Sequence, residues 1–279
     1  VYDHMSEITK FNNLSNNLGQ YYVGREFGEL WGYVSDGYYS IDDFDLEKAK
    51  TGTWVLKEGI AKINGYTPKP GDEKFKDLDG NGVINNGANT LDNPGDMKII
   101  GNSTQRFQFG ANLGVGYKGF DLSVMLQGVG KRDVTLGGHA LFPFGGAGAD
   151  GVFHPVYANQ TDYWQAISYD PEDPNYMVAK NPNAKLFRVY GQQGNVGSNT
   201  RTSTKYLQDG SYMRVKNVTL SYTFPTQWIQ KIHLNQCRLY VSVENLATFT
   251  SLPDGFDPEN LSWSYPFYRT WSIGANVSF

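Results

Sequence analysis

The sequence predicts an all-β protein, a transmembrane antiparallel β-barrel with long outer loops. Several segments alternate apolar and polar residues with a period of two, which is typical of strands with one apolar and one polar face. Aromatic residues make up 15% of the 279 residues and charged residues 19%, a combination that suits strands whose alternate side chains face lipid. The links between the predicted strands are short at one end and long at the other. These three observations predict the fold class.

A hairpin in the middle of the chain shows the alternation most clearly. In the segment 107–117 the odd-numbered residues are aromatic or aliphatic, and the even-numbered residues are polar or glycine. Lys118 and Gly119 then form a short hairpin turn, in which the glycine supplies a positive φ. The next segment continues with Phe120 and Leu122 on its apolar face. The two segments are therefore predicted to pair as antiparallel strands.

Later segments repeat the pattern. In 211–224 most apolar residues share one parity, but Arg214 and Lys216 fall on that parity too. This placement indicates that both lie near the wet end of the strand or at a β-bulge. The segment from Cys237 alternates again, and the chain ends on an alternating run that finishes at Phe279. This last run resembles the closing strand of a bacterial outer-membrane barrel.

The predicted strands lie near 1–11, 103–117, 119–131, 206–224, 236–250 and 267–279, and the long outer loops are 12–102, 132–205 and 251–266. Short links at one end and long links at the other are the asymmetry of outer-membrane barrels. Loops of such length are implausible in a compact domain unless they are functional. Because so few strands cannot close a barrel of useful bore, we expect this chain to be the C-terminal part of a longer protein.

Composition and motifs argue against several functional classes. A net charge of −4 without a basic stripe argues against nucleic acid as a partner. No apolar run is long enough for a transmembrane helix, and the single cysteine, Cys237, cannot form an internal disulfide. The sequence contains none of the common catalytic motifs. We therefore expect that the protein is not an enzyme.

Several segments together resemble the C-terminal third of SusC/RagA-type TonB-dependent transporters of Bacteroidetes. Each segment alone is weak evidence, but their order and spacing match along nearly the whole chain. The segments are Val23–Tyr33 (VGREFGELWGY), Phe75–Ile84 (FKDLDGNGVI), Lys98–Asn102 (KIIGN), Tyr117–Val124 (YKGFDLSV), Asp209–Leu220 (DGSYMRVKNVTL), Tyr240–Leu246 (YVSVENL), Gly255–Glu259 (GFDPE) and Trp271–Phe279 (WSIGANVSF).

The resemblance implies a barrel of roughly 22 strands that is plugged by an N-terminal domain. The plug and the TonB box would precede Val1. The implied function is active import of oligomeric nutrients across the bacterial outer membrane, driven through TonB–ExbB–ExbD. A SusD-like surface lipoprotein would cover the outer mouth as a lid, and two such pairs would form a dimer. The substrate would be an oligosaccharide, as for most relatives, or an oligopeptide.

One outer-loop segment matches the first half of an EF-hand calcium loop, with Gly82 at the sharp turn. The twelfth position, where a bidentate glutamate belongs, is Ala88, so a substitute carboxylate such as Asp92 would have to complete the site. Hard oxygen ligands favour Ca²⁺ or Mg²⁺, here in a structural role. The alternative is an Asp/Asn/Gly turn without an ion. The candidate ligands are Asp77, Asp79, Asn81, Val83 through its carbonyl, and Asn85.

The predicted loops are also rich in aromatic side chains, which can stack on sugar or peptide groups or bury against a partner protein. The alternative is that these rings hold each loop together internally. The candidates for contact with a substrate or with the lid are Trp31, Tyr33, Tyr38, Tyr163, Trp164, Trp263 and Tyr265.

A secreted calcium-dependent carbohydrate-binding β-sandwich is the alternative to the transporter. It also explains the alternating strands, the Asp77–Val83 motif and the abundant aromatic residues. It does not explain the separation of short from long links or the terminal aromatic strand. A passive porin or adhesin barrel is disfavoured by the transporter-like segments. The two main hypotheses differ in what covers the apolar strand faces, which is lipid in one and a second sheet in the other.

Overall fold

The structure is a computed structural model, and it describes residues 4, 6–7, 15–137, 142, 158–190, 196–261 and 267–279. Most of the predicted strand 1–11, together with Trp263 and Tyr265, lies outside these residues. Strands predominate and helices are few and short, so the chain is all-β as predicted. Within the described ranges, no helix has the length and apolar character that crossing a membrane would require.

The described elements are mostly short strands, with a few long ones. The strands are β1 Glu29–Tyr33, β2 Ser35–Tyr38, β3 Lys62–Ile63, β4 Glu73–Phe75, β5 Val83–Ile84, β6 Met97–Asn102, β7 Phe107–Tyr117, β8 Phe120–Gly130, β9 Asp133–Thr135, β10 Leu207–Asp209, β11 Tyr212–Thr223, β12 Gln236–Thr250 and β13 Thr270–Ser278. The α-helices are α1 Leu46–Lys50, α2 Val196–Asn199 and α3 Thr226–Ile229. Single 3₁₀ turns occur at Ile41–Asp43, Ala158–Gln160 and Gln230–Ile232.

The chain divides into two compact units, each described here by itself. The sheet unit consists of Gln105–Asp133 and Asp209–Phe279 and holds the five longest strands. The loop unit consists of Tyr2–Thr104 and Val134–Gln208 and holds most of the short strands.

The sheet unit is one antiparallel sheet with the strand order β13-β12-β11-β8-β7. In the β7–β8 hairpin, Tyr117 pairs with Phe120. The turn residues Lys118 and Gly119 both have positive φ, 48° and 87°, as a type I′ turn requires. A Cβ atom on Gly119 would lie 2.8 Å from the Thr223 carbonyl oxygen, so this position also needs glycine for space.

One face of this sheet is apolar and exposed. The strand register places Leu122, Leu220 and Ile273 in a single row across the sheet, and Phe107 lies on the same face. Their exposed fractions are 37% for Leu122, 49% for Leu220, 85% for Ile273 and 63% for Phe107. Within the described residues, no second sheet covers this face.

A β-bulge in β11 explains the residues that break the alternation. The register shifts between Val215 and Asn217 relative to both neighbouring strands. Relative to β8 the extra residue is Lys216, which reverses the parity of the side chains. Arg214 therefore shares the polar face with its cross-strand neighbours Gln127 and Thr248. A bulge was one of the two placements that the sequence indicated.

The loop unit has a core of its own, built on strands too short to show a period. β1 pairs with β6 and β2 with β4 in antiparallel fashion, and β3 pairs with β5 in parallel. Among the described residues, two clusters of buried side chains stabilise the unit, so much of the region predicted as long loops is compactly folded. The first cluster is Tyr33, Tyr39, Phe44, Ile63, Phe75 and Ile84, and the second is Ala49, Trp164, Ala166, Tyr176, Met177 and Ala184.

Candidate functional site

The EF-hand-like segment folds as a tight turn between β4 and β5. The carboxylate of Asp77 accepts hydrogen bonds from the backbone N–H groups of Gly80 (2.8 Å) and Gly82 (2.7 Å). Both glycines have positive φ, 74° and 79°, a conformation that other residues rarely adopt. Glycine therefore stands at the sharp turn, as the motif predicted.

Further polar side chains of the same turn bind its backbone. The Asn81 N–H donates to Asp79 (3.0 Å), and the Val83 N–H donates to the side-chain oxygen of Asn81 (2.7 Å). The Asn85 amide donates to the Val83 carbonyl (2.7 Å). The candidate ligands from Asp77 to Asn85 therefore lie within one compact turn.

A buried carboxylate from later in the chain joins this turn. One oxygen atom each of Asp77, Asp79 and Asp96 can be chosen so that all three lie within 4.8 Å of one another. Asp96 is fully buried, and it accepts hydrogen bonds from the N–H groups of Leu78 (2.7 Å) and Asn85 (2.8 Å). It thus connects the start of the turn to its end.

Asp96, and not the suggested Asp92, supplies the additional carboxylate. The close approach depends on the preceding Gly95, because a Cβ atom there would lie 2.4 Å from the backbone nitrogen of Gly87. Hydrogen bonds from the backbone, first from Gly82, lower the pKa of Asp77 and favour its ionised form. The site therefore offers three carboxylates and only oxygen donors, which fits Ca²⁺ or Mg²⁺.

A second polar cluster lies inside the loop unit, at β4. Glu73 is fully buried, and its carboxylate accepts a hydrogen bond from the Ser203 hydroxyl (2.7 Å). The Glu73 N–H donates to the side-chain oxygen of Asn199 (2.6 Å), and the Asn199 amide donates to Asp72 (2.9 Å). Burial raises the pKa of Glu73 to about 7. Sequence reasoning missed this cluster, because Glu73 and Ser203 are 130 residues apart.

Three of the candidate aromatic residues stabilise the loop unit internally. Tyr33 and Trp164 are buried in its two cores. A Cβ atom on Gly71 would lie 2.4 Å from the Trp164 ring, so the chain packs directly against the indole. Tyr38 is half-buried, and its hydroxyl donates to the Ala184 carbonyl (3.1 Å). For these residues the structure favours internal packing over contact with a substrate or partner.

Trp31 is placed differently, at the edge of a cavity of about 300 Å³ that Arg25 and Glu29 also line. Its indole N–H donates to the Tyr22 hydroxyl (3.2 Å), which in turn donates to Glu29. Burial raises the pKa of Tyr22 to about 12, so this hydroxyl stays protonated and able to donate. Trp31 thus remains a candidate contact. Tyr163 is half-buried, and its carbonyl accepts a hydrogen bond from the Asn181 amide (2.7 Å).

An ion-pair cluster occupies the polar face of the sheet unit. The side chain of Arg214 is 1% exposed, with one guanidinium nitrogen 2.6 Å from Asp257 and another 3.2 Å from Glu259. Lys216 lies 3.0 Å from the same Glu259 carboxylate, and Arg214 also donates to the Thr248 hydroxyl (2.9 Å). These contacts attach the segment that follows β12 to the bulged part of β11.

A polar cavity of about 540 Å³ lies on the same face. Its lining includes the amides of Gln105, Gln108 and Gln127, the phenol of Tyr212 and the carboxylate of Glu259. An amide both donates and accepts hydrogen bonds. The amides and the phenol therefore suit the cavity to groups that form hydrogen bonds.

The chain resembles two curated proteins along most of its length. TonB-dependent receptor P3 of Formosa agariphila is 30% identical over 276 aligned positions, which cover 92% of this chain and 22% of that receptor. TonB-dependent receptor P26 of the same organism is 25% identical over 247 positions, which cover 82% of this chain and 22% of that receptor. This chain thus spans about a fifth of the length of the curated relatives it matches. No protein-family model matches it.

Solved structures share the fold. The RagAB peptide transporter matches with a TM-score of 0.51 and 18% identity over 93% of this chain and 24% of that one. The RagAB peptide importer in its open-open state matches with a TM-score of 0.52 and 16% identity over 93% of this chain and 23% of that one. The names of these proteins are those of receptors and transporters and not of enzymes. The chain is homologous to TonB-dependent receptors along most of its length, and it shares its fold with part of the RagAB structures.

Proposed function

We propose that this chain forms part of the wall and outer loops of an outer-membrane importer of oligomeric nutrients. The exposed apolar face of the sheet unit carries the proposal. Large side chains from strands across the sheet share that face and stay 37–85% exposed at Phe107, Leu122, Leu220 and Ile273. Monomeric soluble proteins rarely expose so broad an apolar surface. Lipid would cover it, and the polar face with its cavity would line the interior of the barrel.

The energy source and the partners are proposed from the relatives and from the sequence resemblance. Homology to TonB-dependent receptors supports active import energised through TonB–ExbB–ExbD. The resemblance of the sequence segments to SusC/RagA-type transporters supports a SusD-like surface lipoprotein as the lid and a dimer of such pairs. The plug and the TonB box would belong to the remainder of a longer protein.

An oligosaccharide is the proposed substrate, with an oligopeptide as the alternative. The polar cavity has amide and hydroxyl groups in its wall, which hydrogen-bond equally well to the hydroxyl groups of sugars and to peptide units. The RagAB structures are named as a peptide transporter and importer, which supports the alternative.

The secreted carbohydrate-binding β-sandwich remains the second candidate. The cluster of Asp77, Asp79 and Asp96 and the cavity beside Trp31 are compatible with such a module. A sandwich, however, buries one face of each sheet against the other. The exposure of the apolar row across β8, β11 and β13 therefore favours the membrane.

In cells that make the full-length protein, we expect it to sediment with the outer membrane and to need detergent for release. A lipoprotein should co-purify with it. Deletion of the gene should abolish growth on the oligosaccharide or oligopeptide substrate and leave growth on the corresponding monomer intact. Release into aqueous buffer without detergent would contradict the proposal.

We further propose that the Asp77–Asp96 cluster binds Ca²⁺, or Mg²⁺, as a structural ion. The carboxylates of Asp77, Asp79 and Asp96 would bind it, with Asn81 and the Val83 carbonyl as further oxygen donors. The support is the EF-hand-like order of the residues together with the convergence of three carboxylates. The ion would hold the turn between β4 and β5 in place.

Replacing Asp96 with asparagine should weaken Ca²⁺ binding by tenfold or more, because it removes one of three negative charges from the site. Isothermal titration of the detergent-solubilised full-length protein measures this change. At 100 times the dissociation constant, Ca²⁺ should stabilise the wild type by about 2.7 kcal/mol, seen as a higher Tm. The control Asp92→Asn changes an exposed nearby carboxylate and should leave binding intact. A wild-type protein that shows neither binding nor a Tm change would contradict the metal proposal.

A further inference from the structure

Glu73 connects three parts of the loop unit through its backbone and its buried carboxyl group. It is the first residue of β4, and it pairs with Tyr38 of β2. Its carboxylate accepts the Ser203 hydroxyl (2.7 Å), and its N–H donates to Asn199 (2.6 Å). Ser203 and Asn199 belong to the stretch Asn199–Tyr206, named here the 199–206 segment. This segment leads directly into β10 and β11.

The 199–206 segment is attached to β1 and β2 by backbone contacts as well. The Tyr33 N–H donates to the Thr202 carbonyl (2.9 Å), and the Thr204 N–H donates to the Tyr33 carbonyl (3.0 Å). The Ser35 N–H donates to the Thr204 hydroxyl (3.0 Å). Glu73 thus contacts the segment at the place where it lies along the sheet edge.

The surroundings of Glu73 disfavour its ionised form. One of its carboxylate oxygens is buried without a hydrogen bond of good geometry, although the Ser35 hydroxyl lies close enough to act on it. Asp72, also buried, immediately precedes Glu73 in the chain. Burial raises the pKa of Glu73 to about 7, while Ser203, Ser35 and the charge of Lys205 act in the opposite direction.

The other titratable groups near Glu73 lie on the elements that pack against it. From the 199–206 segment, Lys205 lies 4.2 Å from the centre of the Tyr38 ring of β2, and burial lowers its pKa. Tyr206 and Tyr38 are phenols whose pKa values are raised, first of all by burial, so both remain neutral. Asp162 acts on Lys205 and Tyr38. Lys205 is thus the one cation acting on Glu73 among the described residues.

We propose that Glu73 is a proton-operated latch, which holds the 199–206 segment on β2 and β4 when protonated and loosens it when ionised. An ionised carboxylate is costly in this buried position, and opening the segment exposes it to water. The pKa of Glu73 in the closed form lies above its ordinary value. The stabilising effect is therefore complete below the ordinary pKa and is lost as the pH rises through about 7. The inference requires neither import nor a membrane.

Hydrogen–deuterium exchange on the detergent-solubilised full-length protein tests the latch. In the closed form the pKa of Glu73 is about 7, and in the open form it has its ordinary value. The protection of the 199–206 segment from exchange should therefore fall about tenfold between pH 6.0 and 8.5, after correction for intrinsic exchange. Glu73→Gln should abolish this difference, because the amide stays neutral and still accepts the Ser203 hydroxyl. Glu29→Gln, at another buried glutamate of the same unit, should leave the difference unchanged.

Equal protection of the wild type at both pH values would overturn the proposal. So would a pH dependence that persists in Glu73→Gln. If Glu73→Gln does not accumulate, Lys205→Met provides the test. Loss of the cation that favours ionisation of Glu73 should move the midpoint of the pH-dependent loss of protection to higher pH. An unchanged midpoint in Lys205→Met would show that another group titrates.

Discussion

Replacing Leu113 with arginine should remove most of the protein from the outer membrane, whereas the same change at Asn112 should be tolerated. The two residues are neighbours in the middle of β7 and lie on opposite faces of the sheet. Leu113 is 58% exposed on the apolar face, and Asn112 is exposed on the polar face. An arginine that faces lipid near mid-bilayer costs about 2–4 kcal/mol, while one that faces the interior meets water or protein.

The amount of protein in the outer-membrane fraction, and its heat-dependent mobility shift on gels, measure the effect. Asn112→Arg is the matched control, because it adds the same side chain at nearly the same depth. Equal accumulation of the two variants would mean that the apolar face meets neither lipid nor a second sheet. Whether the protein needs detergent for release distinguishes lipid from a second sheet on the apolar face. The two experiments together therefore decide between the membrane protein and the secreted β-sandwich.

The faces of the sheet could be predicted because a strand encodes them locally. Alternation places Phe107 and Leu122 on one face without knowledge of any neighbour, and the register confirms their common face. The bulge at Lys216 could be inferred as one of two alternatives, since a cation on the apolar parity needs some local adjustment. Which alternative holds depends on pairing with β8 and β12, and a single strand does not show its partners.

The loop unit could not be predicted in the same way. Its strands have two to six residues, too few for a period to emerge. Its polar contacts join distant positions, as between Glu73 and Ser203. The Asp77–Asp96 cluster could be predicted in part. The motif identified Asp77 and Asp79, but Asp96 comes from beyond the motif and is brought in by the tight turn at Gly95.

Replacing Arg214 with methionine should release the segment that follows β12 from the polar face of the sheet. The change leaves Asp257 without its ion-pair partner, while Glu259 keeps only Lys216. Removing one partner of a buried ion pair costs about 3–5 kcal/mol, because the remaining charge stays desolvated. Cleavage within residues 251–261 by an added protease should therefore become at least about a hundredfold faster, if cleavage requires local opening.

A double-mutant cycle separates the ion pair from the packing of the arginine. Asp257→Asn alone should also accelerate cleavage. In the double variant with Arg214→Met, the acceleration should be much smaller than the product of the two single accelerations, because neither charge of the pair is then left unpaired. Lys76→Met is the exposed control, since the Lys76–Asp36 pair is 4.0 Å long and about half exposed on both sides, so it should change local stability by less than about 1 kcal/mol. Multiplicative effects of Arg214→Met and Asp257→Asn would contradict the assignment. They would mean that Arg214 stabilises this segment through its contacts with Thr248 and its neighbours, and not through charge.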